Sequence, residues 1–258
     1  MAAWYRDHPV KVVVPVSGGK DSQACLQLAR QAHGQQHVIG LFCDTRFEHP
    51  LTYQHVSWLS EYYGVRIEIV SAGNVPDKVR QHGRFPGGTA RFCTSELKIY
   101  PSRKFYRWLA TAQGGFEVWY GVRQGESPAR AERYRDKLNT ETYPPHEFLP
   151  GQYPQYLHKL GVSVRLPIVE WDTEEVFTLL NGTENPLYRE GFDRVGCFPC
   201  LAGGDKSKIH AFEHDCFGAQ QYDIVLRLEQ ETGKSVFRAA VGQRWKDDGG
   251  NGCGFCSM

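Results

Sequence analysis

The sequence predicts an α/β protein: a doubly wound, mostly parallel sheet with a cysteine-bearing C-terminal extension. An apolar, β-branched run at residues 12–16 is followed by a glycine-rich turn and then by apolar residues at helical spacing. The same order of strand and helix repeats through residue 70, and strands that alternate with helices form parallel sheets. We assign residues 1–170 to the α/β domain and residues 171–258 to the extension, which we expect to pack on that domain.

Hydrophobic periodicity and turn residues predict the elements in order. The predicted strands are residues 12–16, 37–43, 65–70, 116–120 and 162–166, and the predicted helices are residues 21–33, 48–63, 172–180 and 209–232. Stretches rich in Gly and Pro at 73–90 and in Pro at 143–156 predict loops, and 185–204 is expected to be irregular. Thr94 or Ser95 is expected to cap a helix that breaks or restarts near Pro101.

Bulk composition excludes some classes of protein. The 258 residues are 41% hydrophobic, with a mean hydropathy of −0.48, as in a globular domain. No apolar run approaches the roughly 20 residues that cross a bilayer, and the N-terminal residues lack an apolar signal core. We therefore expect a cytoplasmic location and no membrane partner. In a reducing compartment the eight cysteines indicate metal or redox sites rather than disulfides.

Charge is nearly balanced overall but unevenly distributed. The net charge of +1 and the pI of about 7.6 neither require nor exclude a nucleic-acid partner. Residues 78–107, however, carry eight lysines and arginines against one acid, Glu96. Such a stretch is either a solvated face or a surface that holds phosphates.

The turn after the first strand has the composition of a phosphate-binding loop, which we call the glycine loop. It consists of Ser17, Gly18, Gly19, Lys20, Asp21 and Ser22. Glycines let backbone N–H groups approach an anion closely, and the positive end of the following helix faces that anion. The hydroxyls and the lysine add donors. The pattern is neither the Walker sequence nor the dinucleotide fingerprint, and an ordinary strand-to-helix turn is the alternative interpretation.

Further polar residues are expected beside this loop. Asp44 and Thr45 end the second strand, and ligands of doubly wound sheets lie beyond the carboxyl ends of the strands. Asp21 and Asp44 are therefore candidate ligands for Mg²⁺, which prefers oxygen. Asp21 is alternatively an acid in the first turn of a helix, where it suits the helix dipole.

Two arginines follow the fourth strand. Arg123 and Arg130 flank Glu126 just beyond the strand end. Guanidinium groups bind phosphate or carboxylate in bidentate fashion. We expect these arginines to hold a substrate or its phosphates, and an ion pair with Glu126 is the alternative.

The cysteines supply a third set of candidates. The candidate metal ligands are Cys93, Cys197, Cys200 and Cys216. Cys197 and Cys200 form a Cys-x-x-Cys pair, which with further thiolates suits zinc or an iron–sulfur cluster, although a redox dithiol is also consistent. Cys253 and Cys256 form a second pair in the tail. Cys25 and Cys43 fall in a predicted helix and strand, and we expect both to be buried.

Several segments together resemble the phosphoadenosine phosphosulfate (PAPS) reductase family within the ATP pyrophosphatase superfamily. The resemblance covers about residues 10–237, and the motifs occur in the family's order. They are the glycine loop, D-T-x-x-E-H-P at 44–50, R-x-C-T-x-x-L-K-x-x-P at 91–101, G-x-R-x-x-E-S-x-x-R at 121–130, L-P-I-V-E-W at 166–171, N-P-L-Y at 185–188 and G-C-x-x-C at 196–200.

This resemblance implies a Rossmann-like sheet of the adenine nucleotide alpha hydrolase type and a nucleotide site. The implied nucleotide-binding residues are Ser17, Gly18, Gly19, Lys20, Asp21, Ser22, Asp44, Thr45, Arg123, Glu126 and Arg130, with Lys20, Asp21 and Asp44 catalytic. Reductases that act on preformed sulfonucleotides usually lack the lysine of this loop. Lys20 therefore favours ATP with Mg²⁺ as the nucleotide.

The residues around Cys200 look most like the iron–sulfur ATP pyrophosphatase of DNA phosphorothioation systems. That likeness implies a 4Fe-4S cluster on Cys93, Cys197 and Cys200. Either Cys216 is the fourth ligand, or one iron stays free to carry sulfide, as in some related pyrophosphatases. It also implies that ATP is cleaved to AMP and pyrophosphate to adenylate an oxygen, which sulfur from a cysteine desulfurase then replaces. DNA is the expected acceptor rather than tRNA. The iron–sulfur adenylylsulfate reductases have two adjacent cysteines where this chain has Phe92 and Cys93, so one thiol is missing here.

Three alternatives stay open from the sequence. The chain is alternatively a sulfonucleotide reductase in which Cys253 or Cys256 attacks sulfur, or a tRNA thiolation enzyme. Those two cysteines also resemble tail cysteines that relay sulfur in some relatives, and surplus thiols are an equal interpretation. A nucleotide-sensing subunit with a degenerate site is the non-enzyme alternative, against which the intact Lys20 and Asp21 argue. The sequence does not predict the oligomeric state.

Overall fold

A six-stranded sheet lies at the centre of the computed structural model, which describes residues 2–88 and 90–237. The strands are β1 (Val12–Val16), β2 (Val38–Asp44), β3 (Arg66–Ser71), β4 (Phe116–Trp119), β5 (Thr142–Tyr143) and β6 (Val162–Arg165). Their order across the sheet is β3-β2-β1-β4-β6-β5, and every neighbouring pair is parallel except β5 with β6. The predicted α/β class with a doubly wound, mostly parallel sheet is confirmed.

Helices cover both faces of this sheet; most of them connect its strands, and the last ones follow the final strand in the chain. They are α1 (Ala2–Asp7), α2 (Lys20–His33), α3 (Pro50–Tyr63), α4 (Val75–His82), α5 (Phe92–Thr94), α6 (Tyr100–Gln113), α7 (Pro128–Tyr134), α8 (Pro145–Phe148), α9 (Gln155–Lys159), α10 (Thr173–Leu180), α11 (Asp205–His214) and α12 (Cys216–Thr232). A π-helical turn, Ser95–Ile99, joins α5 to α6. No helix in the described ranges is long and apolar enough to cross a membrane.

Strand β1 organises the core because it is buried on both faces. Its residues alternate between two apolar clusters: Val13 packs with Tyr106 and Tyr120 on one face, whereas Val14 packs with Leu59 on the other. Double burial explains the continuous apolar run of this strand. Strands β2 and β3 are added on one side of β1, whereas β4 is added on its other side. The glycine loop follows β1 at this topological switch point, where open α/β sheets bind ligands.

Local structure departs from the sequence prediction in three places. The segment 73–90 contains a helix, α4, which begins because the Asn74 side chain accepts a hydrogen bond from the Asp77 N–H at 2.8 Å. Neither Thr94 nor Ser95 caps a helix; both have helical dihedrals inside one continuous segment from α5 to α6. Pro101 is accommodated in the first turn of α6, where its missing N–H costs little.

The C-terminal half shows two further differences. The predicted helix at 209–232 is two helices, because the Asp215 side chain accepts from the Gly218 N–H at 2.7 Å and starts α12. The proline-rich stretch at 143–156 contains α8 and the start of α9. The predicted cap of α10 is confirmed, since Asp172 and Glu175 form a reciprocal capping box.

Candidate functional site

The glycine loop is held in shape by its own two serines. The Ser22 hydroxyl accepts from the Ser17 N–H at 3.1 Å and donates to the Gly19 carbonyl at 2.8 Å. The Ser17 hydroxyl accepts from the Gly19 N–H at 3.3 Å. Ser22 is 1% exposed and Ser17 7%, so these bonds are shielded from water. The hydroxyls that the sequence offered as ligand donors therefore already have a structural role.

Two glycines are required by close approach at this loop. Gly18 has a φ of +77°, and a Cβ there would lie 2.6 Å from the Thr52 side chain of α3. Gly121, just after β4, approaches the loop from the other side, and a Cβ on it would lie 2.6 Å from the backbone carbonyl carbon of Asp21. The loop is thus clamped between α3 and the end of β4.

Buried charges surround the loop and leave an excess of positive charge. Asp21 accepts from the Arg123 guanidinium at 2.6 Å and pairs with the Lys20 ammonium at 3.3 Å. Glu126 pairs with Arg130, whose side chain is 1% exposed. Lys20 and Arg123 therefore share the Asp21 carboxylate, and burial of an incompletely compensated charge is costly. Burial lowers the pKa of Lys20, and the Asp21 carboxylate opposes that shift.

Arg123 contacts the loop through Asp21 and Arg130 contacts Glu126, so each arginine already has a carboxylate partner. Arg123 also donates to the Thr173 hydroxyl at 3.2 Å, which ties the loop to α10. Glu126 lines the cleft above the loop, and its pairing with Arg130 is the alternative that the sequence left open. Direct phosphate binding by these arginines stays a prediction.

A strap at residues 185–195 closes the cleft. Asn185 is fully buried and its amide donates to the Gly18 carbonyl at 3.2 Å, while the Tyr188 hydroxyl accepts from the Lys20 N–H at 2.9 Å. The Lys20 ammonium lies 5.2 Å from the centroid of the Tyr188 ring. The resulting cleft is lined by the loop together with Glu126, Tyr188, Arg194 and Val195. Burial raises the pKa of Tyr188, which keeps the phenol protonated.

Asp44 and Thr45 diverge at the end of β2. The Asp44 carboxylate accepts from the Tyr53 hydroxyl and from the Arg46 N–H, both at 2.8 Å. Thr45 instead lines a second cavity and donates to Glu48 at 2.6 Å. The structure therefore places Thr45 away from the lining of the glycine-loop cleft, and the catalytic role expected for Asp44 stays a prediction.

The second cavity brings three of the candidate cysteines together. Its lining includes Cys93, Cys197, Cys200, Thr45 and Lys98. The three cysteines come from two segments that are far apart in the chain, as the ligands of a cluster often do. Burial raises the pKa of Cys197 to about 12, and the Lys98 charge opposes that shift. Thiols are donors that zinc and iron–sulfur groups take, and the metal group expected on these three cysteines stays a prediction.

Cys216 is placed differently. It is exposed at the first residue of α12, and the lining of the cysteine cavity, as far as the structure describes it, does not include it. Its role as a fourth ligand stays a prediction. Cys25 and Cys43 are buried, as predicted, with exposures of 0% and 6%. Cys253 and Cys256 lie outside the described residues.

A different group of metal-type ligands, which the sequence did not suggest, lies beside the cysteine loop. Within the described ranges, His49, His214 and Asp215 have ligand atoms within 4.8 Å of one another. The His49 Nδ1 accepts from the Leu51 N–H at 3.1 Å, so the proton is on Nε2 and is donated to Asp215 at 3.0 Å. That protonated nitrogen has no lone pair for a metal. The group is a hydrogen-bonded tie between α3 and α12.

Sequence reasoning missed the strap residues and Glu48. Glu48 is 3% exposed, and its carboxylate accepts from Thr45 and lies 3.7 Å from the Cys197 sulfur. The signals were present in the N-P-L-Y and E-H-P motifs, but nothing in their spacing shows that they meet the loop and the cysteines.

Comparison with known proteins matches most of the chain. The profile of the phosphoadenosine phosphosulfate reductase domain family matches residues 11–202. An uncharacterized protein of Methanocaldococcus jannaschii is 32% identical over 203 residues, which cover 77% of this chain and 38% of the relative. An uncharacterized 37.8 kDa protein of Escherichia phage 186 is 30% identical over 240 residues, covering 73% and 66%. The phosphoadenosine 5'-phosphosulfate reductase of Sodalis glossinidius is 24% identical over 200 residues, covering 75% and 72%. The chain thus spans under two thirds of the length of either uncharacterized relative.

Proposed function

The chain belongs to the phosphoadenosine phosphosulfate reductase domain family, and from that premise we propose that it is an ATP pyrophosphatase that prepares an oxygen for replacement by sulfur. In the proposed reaction the acceptor oxygen attacks the α-phosphorus of ATP, the bond to the β-phosphate breaks, and pyrophosphate leaves. A cysteine desulfurase supplies sulfur as a persulfide, from which a thiol reductant releases hydrosulfide with formation of a disulfide. The hydrosulfide then attacks the adenylated centre, and AMP leaves with the oxygen. The acceptor that we favour is the DNA backbone, with tRNA second.

The observation that supports this proposal is the buried positive charge at the glycine loop. Lys20 is 6% exposed and shares the single Asp21 carboxylate with Arg123. A buried cation that shares its carboxylate with a second cation favours an anionic ligand, because Coulomb interactions strengthen as water is excluded. The leaving pyrophosphate develops charge that such a preorganised cation stabilises. This supports a polyphosphate ligand.

Magnesium is expected to arrive with the nucleotide. Mg²⁺ keeps most of its water and is usually bound by one or two carboxylates together with substrate phosphates. Asp21 and Glu126 are the carboxylates at the cleft, and each is paired with an arginine side chain. We propose that one of them turns to the metal when ATP neutralises its present partner.

The cysteine cavity is the proposed place for a 4Fe-4S cluster, held by Cys93, Cys197 and Cys200. When bound, such a group supplies thiophilic iron on which sulfide can be kept. The chain's own contribution is to hold the buried Lys98 in the lining beside the thiols.

A sulfonucleotide reductase is the second candidate, supported by the name of the Sodalis glossinidius relative. The two candidates differ in products. A reductase releases sulfite from PAPS or adenylylsulfate with thioredoxin, whereas the proposed enzyme releases pyrophosphate from ATP.

The deciding experiment measures pyrophosphate release from ATP by anaerobically purified protein. Lys20→Ala is expected to lose this activity, and Lys11→Ala, which removes an exposed lysine just before β1, is the matched control. Iron, sulfide and visible absorbance are assayed on the same samples and on Cys197→Ala. Thioredoxin-dependent sulfite release without pyrophosphate release would overturn the proposal. Zinc in place of iron would leave adenylation standing and remove the cluster.

A further inference from the structure

Helix α6 carries an exposed face of alternating aromatic and basic side chains. Its members recur at helical spacing, with Tyr100 followed by Arg103, Lys104, Arg107 and Trp108. Tyr100 is 42% exposed and Trp108 37%. We call this set the α6 face.

Cations of the α6 face differ from the other cations of the basic segment. Lys78 pairs with Glu96 at 2.6 Å, and Arg80 pairs with Glu231 at 2.7 Å, so their charge is locally neutralised. Among the described residues, no ion pair joins Arg103, Lys104 or Arg107 to a carboxylate. The three α6 cations therefore keep their charge, unlike Lys78 and Arg80.

The cations of this face lie over aromatic rings instead. Lys104 is 4.5 Å and Arg103 5.3 Å from the centroid of Tyr100, and Arg107 is 5.6 Å from the centroid of Tyr156, which is 37% exposed. Cation–π contacts hold the charged groups without neutralising them. Phosphate-binding charge next to exposed rings is the combination with which proteins hold a nucleic-acid backbone and stack on its bases.

Position connects this face with the proposed chemistry. Cys93 and Arg103 belong to one continuous helical segment, so they are about 15 Å apart along its axis. A groove of about 750 Å³, lined by Lys78, Ser95, Tyr100 and Arg103, opens at the end of the face nearer the cysteines. A strand lying along α6 would enter the molecule at this groove.

We propose that the α6 face binds the phosphodiester backbone of DNA and guides one strand toward the cysteine cavity. The inference rests on the proposed function for its choice of DNA as the acceptor. The binding itself needs neither ATP nor a metal group.

The test is fluorescence anisotropy with a 5'-labelled DNA oligonucleotide at several salt concentrations, without ATP, on the full chain. The triple variant Arg103→Gln, Lys104→Gln, Arg107→Gln is compared with Lys11→Gln, Arg227→Gln, Lys234→Gln, which removes the same charge from exposed positions elsewhere. We expect the α6 triple variant to bind about tenfold more weakly or worse and its salt slope to fall by about 2 to 3, while the control stays near wild type. Tyr100→Ala is expected to weaken binding with no change in salt slope.

Equal weakening in both triple variants, or none in either, would overturn the proposal, and tighter binding of an RNA of the same sequence would overturn the assignment to DNA. Lys20→Ala separates this test from the proposed function, because it should bind DNA normally while releasing no pyrophosphate. Pyrophosphate release without DNA binding would remove only the α6 proposal.

Discussion

The Tyr188 hydroxyl accepts a hydrogen bond at 2.9 Å from the Lys20 N–H, the first amide of α2, although the two residues are 168 positions apart in the chain. That amide is at the positive end of the helix, where the glycine loop is expected to receive pyrophosphate. The hydroxyl of the strap therefore occupies a donor that the anion needs. Nucleotide binding requires either that Tyr188 withdraws or that it joins the anion's partners.

Tyr188→Phe distinguishes these two cases. We expect the variant to bind pyrophosphate about fivefold more tightly, because the freed amide regains a partner only in the complex, a difference of about 1 kcal/mol. The same loss should lower the free energy of unfolding slightly. Titration calorimetry with pyrophosphate measures the affinity, and Tyr63→Phe, whose hydroxyl donates to Gln27, is the control. Weaker binding would instead make Tyr188 a contact of the anion.

The charge of Lys20 predicts a pH dependence. Burial lowers its pKa, and only the protonated ammonium attracts pyrophosphate. Affinity should therefore fall as pH rises through the lowered pKa of Lys20, at a lower pH than an ordinary lysine would give. The measurement is the ratio of the pyrophosphate affinities of the wild type and of Lys20→Arg from pH 7 to pH 10. Because arginine stays charged, this ratio cancels the titration of pyrophosphate itself. A constant ratio across that range would contradict the prediction.

Gly121 tests the clamp on the loop. A Cβ there would lie 2.6 to 2.8 Å from backbone atoms of Asp21 and Ser22, and backbone cannot give way as a flexible side chain does. We expect Gly121→Ala to lower the free energy of unfolding by about 1 to 3 kcal/mol and to weaken pyrophosphate binding. Gly125→Ala is the matched control, because a Cβ on it meets no atom within 4 Å. Urea denaturation of both variants gives the comparison, and similar stabilities would disprove the clamp.

His55 predicts an acid sensitivity. It is 6% exposed and donates to Gln23 at 2.9 Å, and burial lowers its pKa from 6.5 to about 4. The unfolded chain binds the proton more readily, so stability is complete above about pH 6.5 and is lost as pH falls toward 4. The loss amounts to about 2 to 3 kcal/mol at pH 4.5. His55→Gln should lose that much less stability between pH 7.5 and pH 4.5 in urea melts, and equal losses would contradict the assignment.

Much of the fold was predictable because its signals are local. The apolar run before Ser17 predicted β1 with its observed bounds, Val12–Val16, and the acidic turn after Asp172 predicted the start of α10. The sequence prediction was wrong where a capping side chain starts a helix that the residue pattern did not indicate. Asn74 caps a helix inside a stretch rich in turn residues, and Asp215 divides what periodicity presents as one helix.

The candidate site was only partly predictable from the sequence. Residue type and order were enough to select the glycine loop, the arginines and the Cys-x-x-Cys pair, because a phosphate or a metal demands those chemical groups. Which groups share a site depends on contacts between segments far apart in the chain. Spacing alone could not show that Asp21 pairs with Arg123, or that Thr45 lies with Cys197.

The sequence by itself determined the class of sheet, the glycine loop and the chemical groups available, since these depend on local periodicity and residue type. Tertiary structure decided how those groups are partnered. Packing around β1 brought Asp21 to Arg123, the strap to Lys20, and Cys93 to Cys197. Burial strengthens each of these contacts, because charges and hydrogen bonds shielded from water interact far more strongly than they do at the surface.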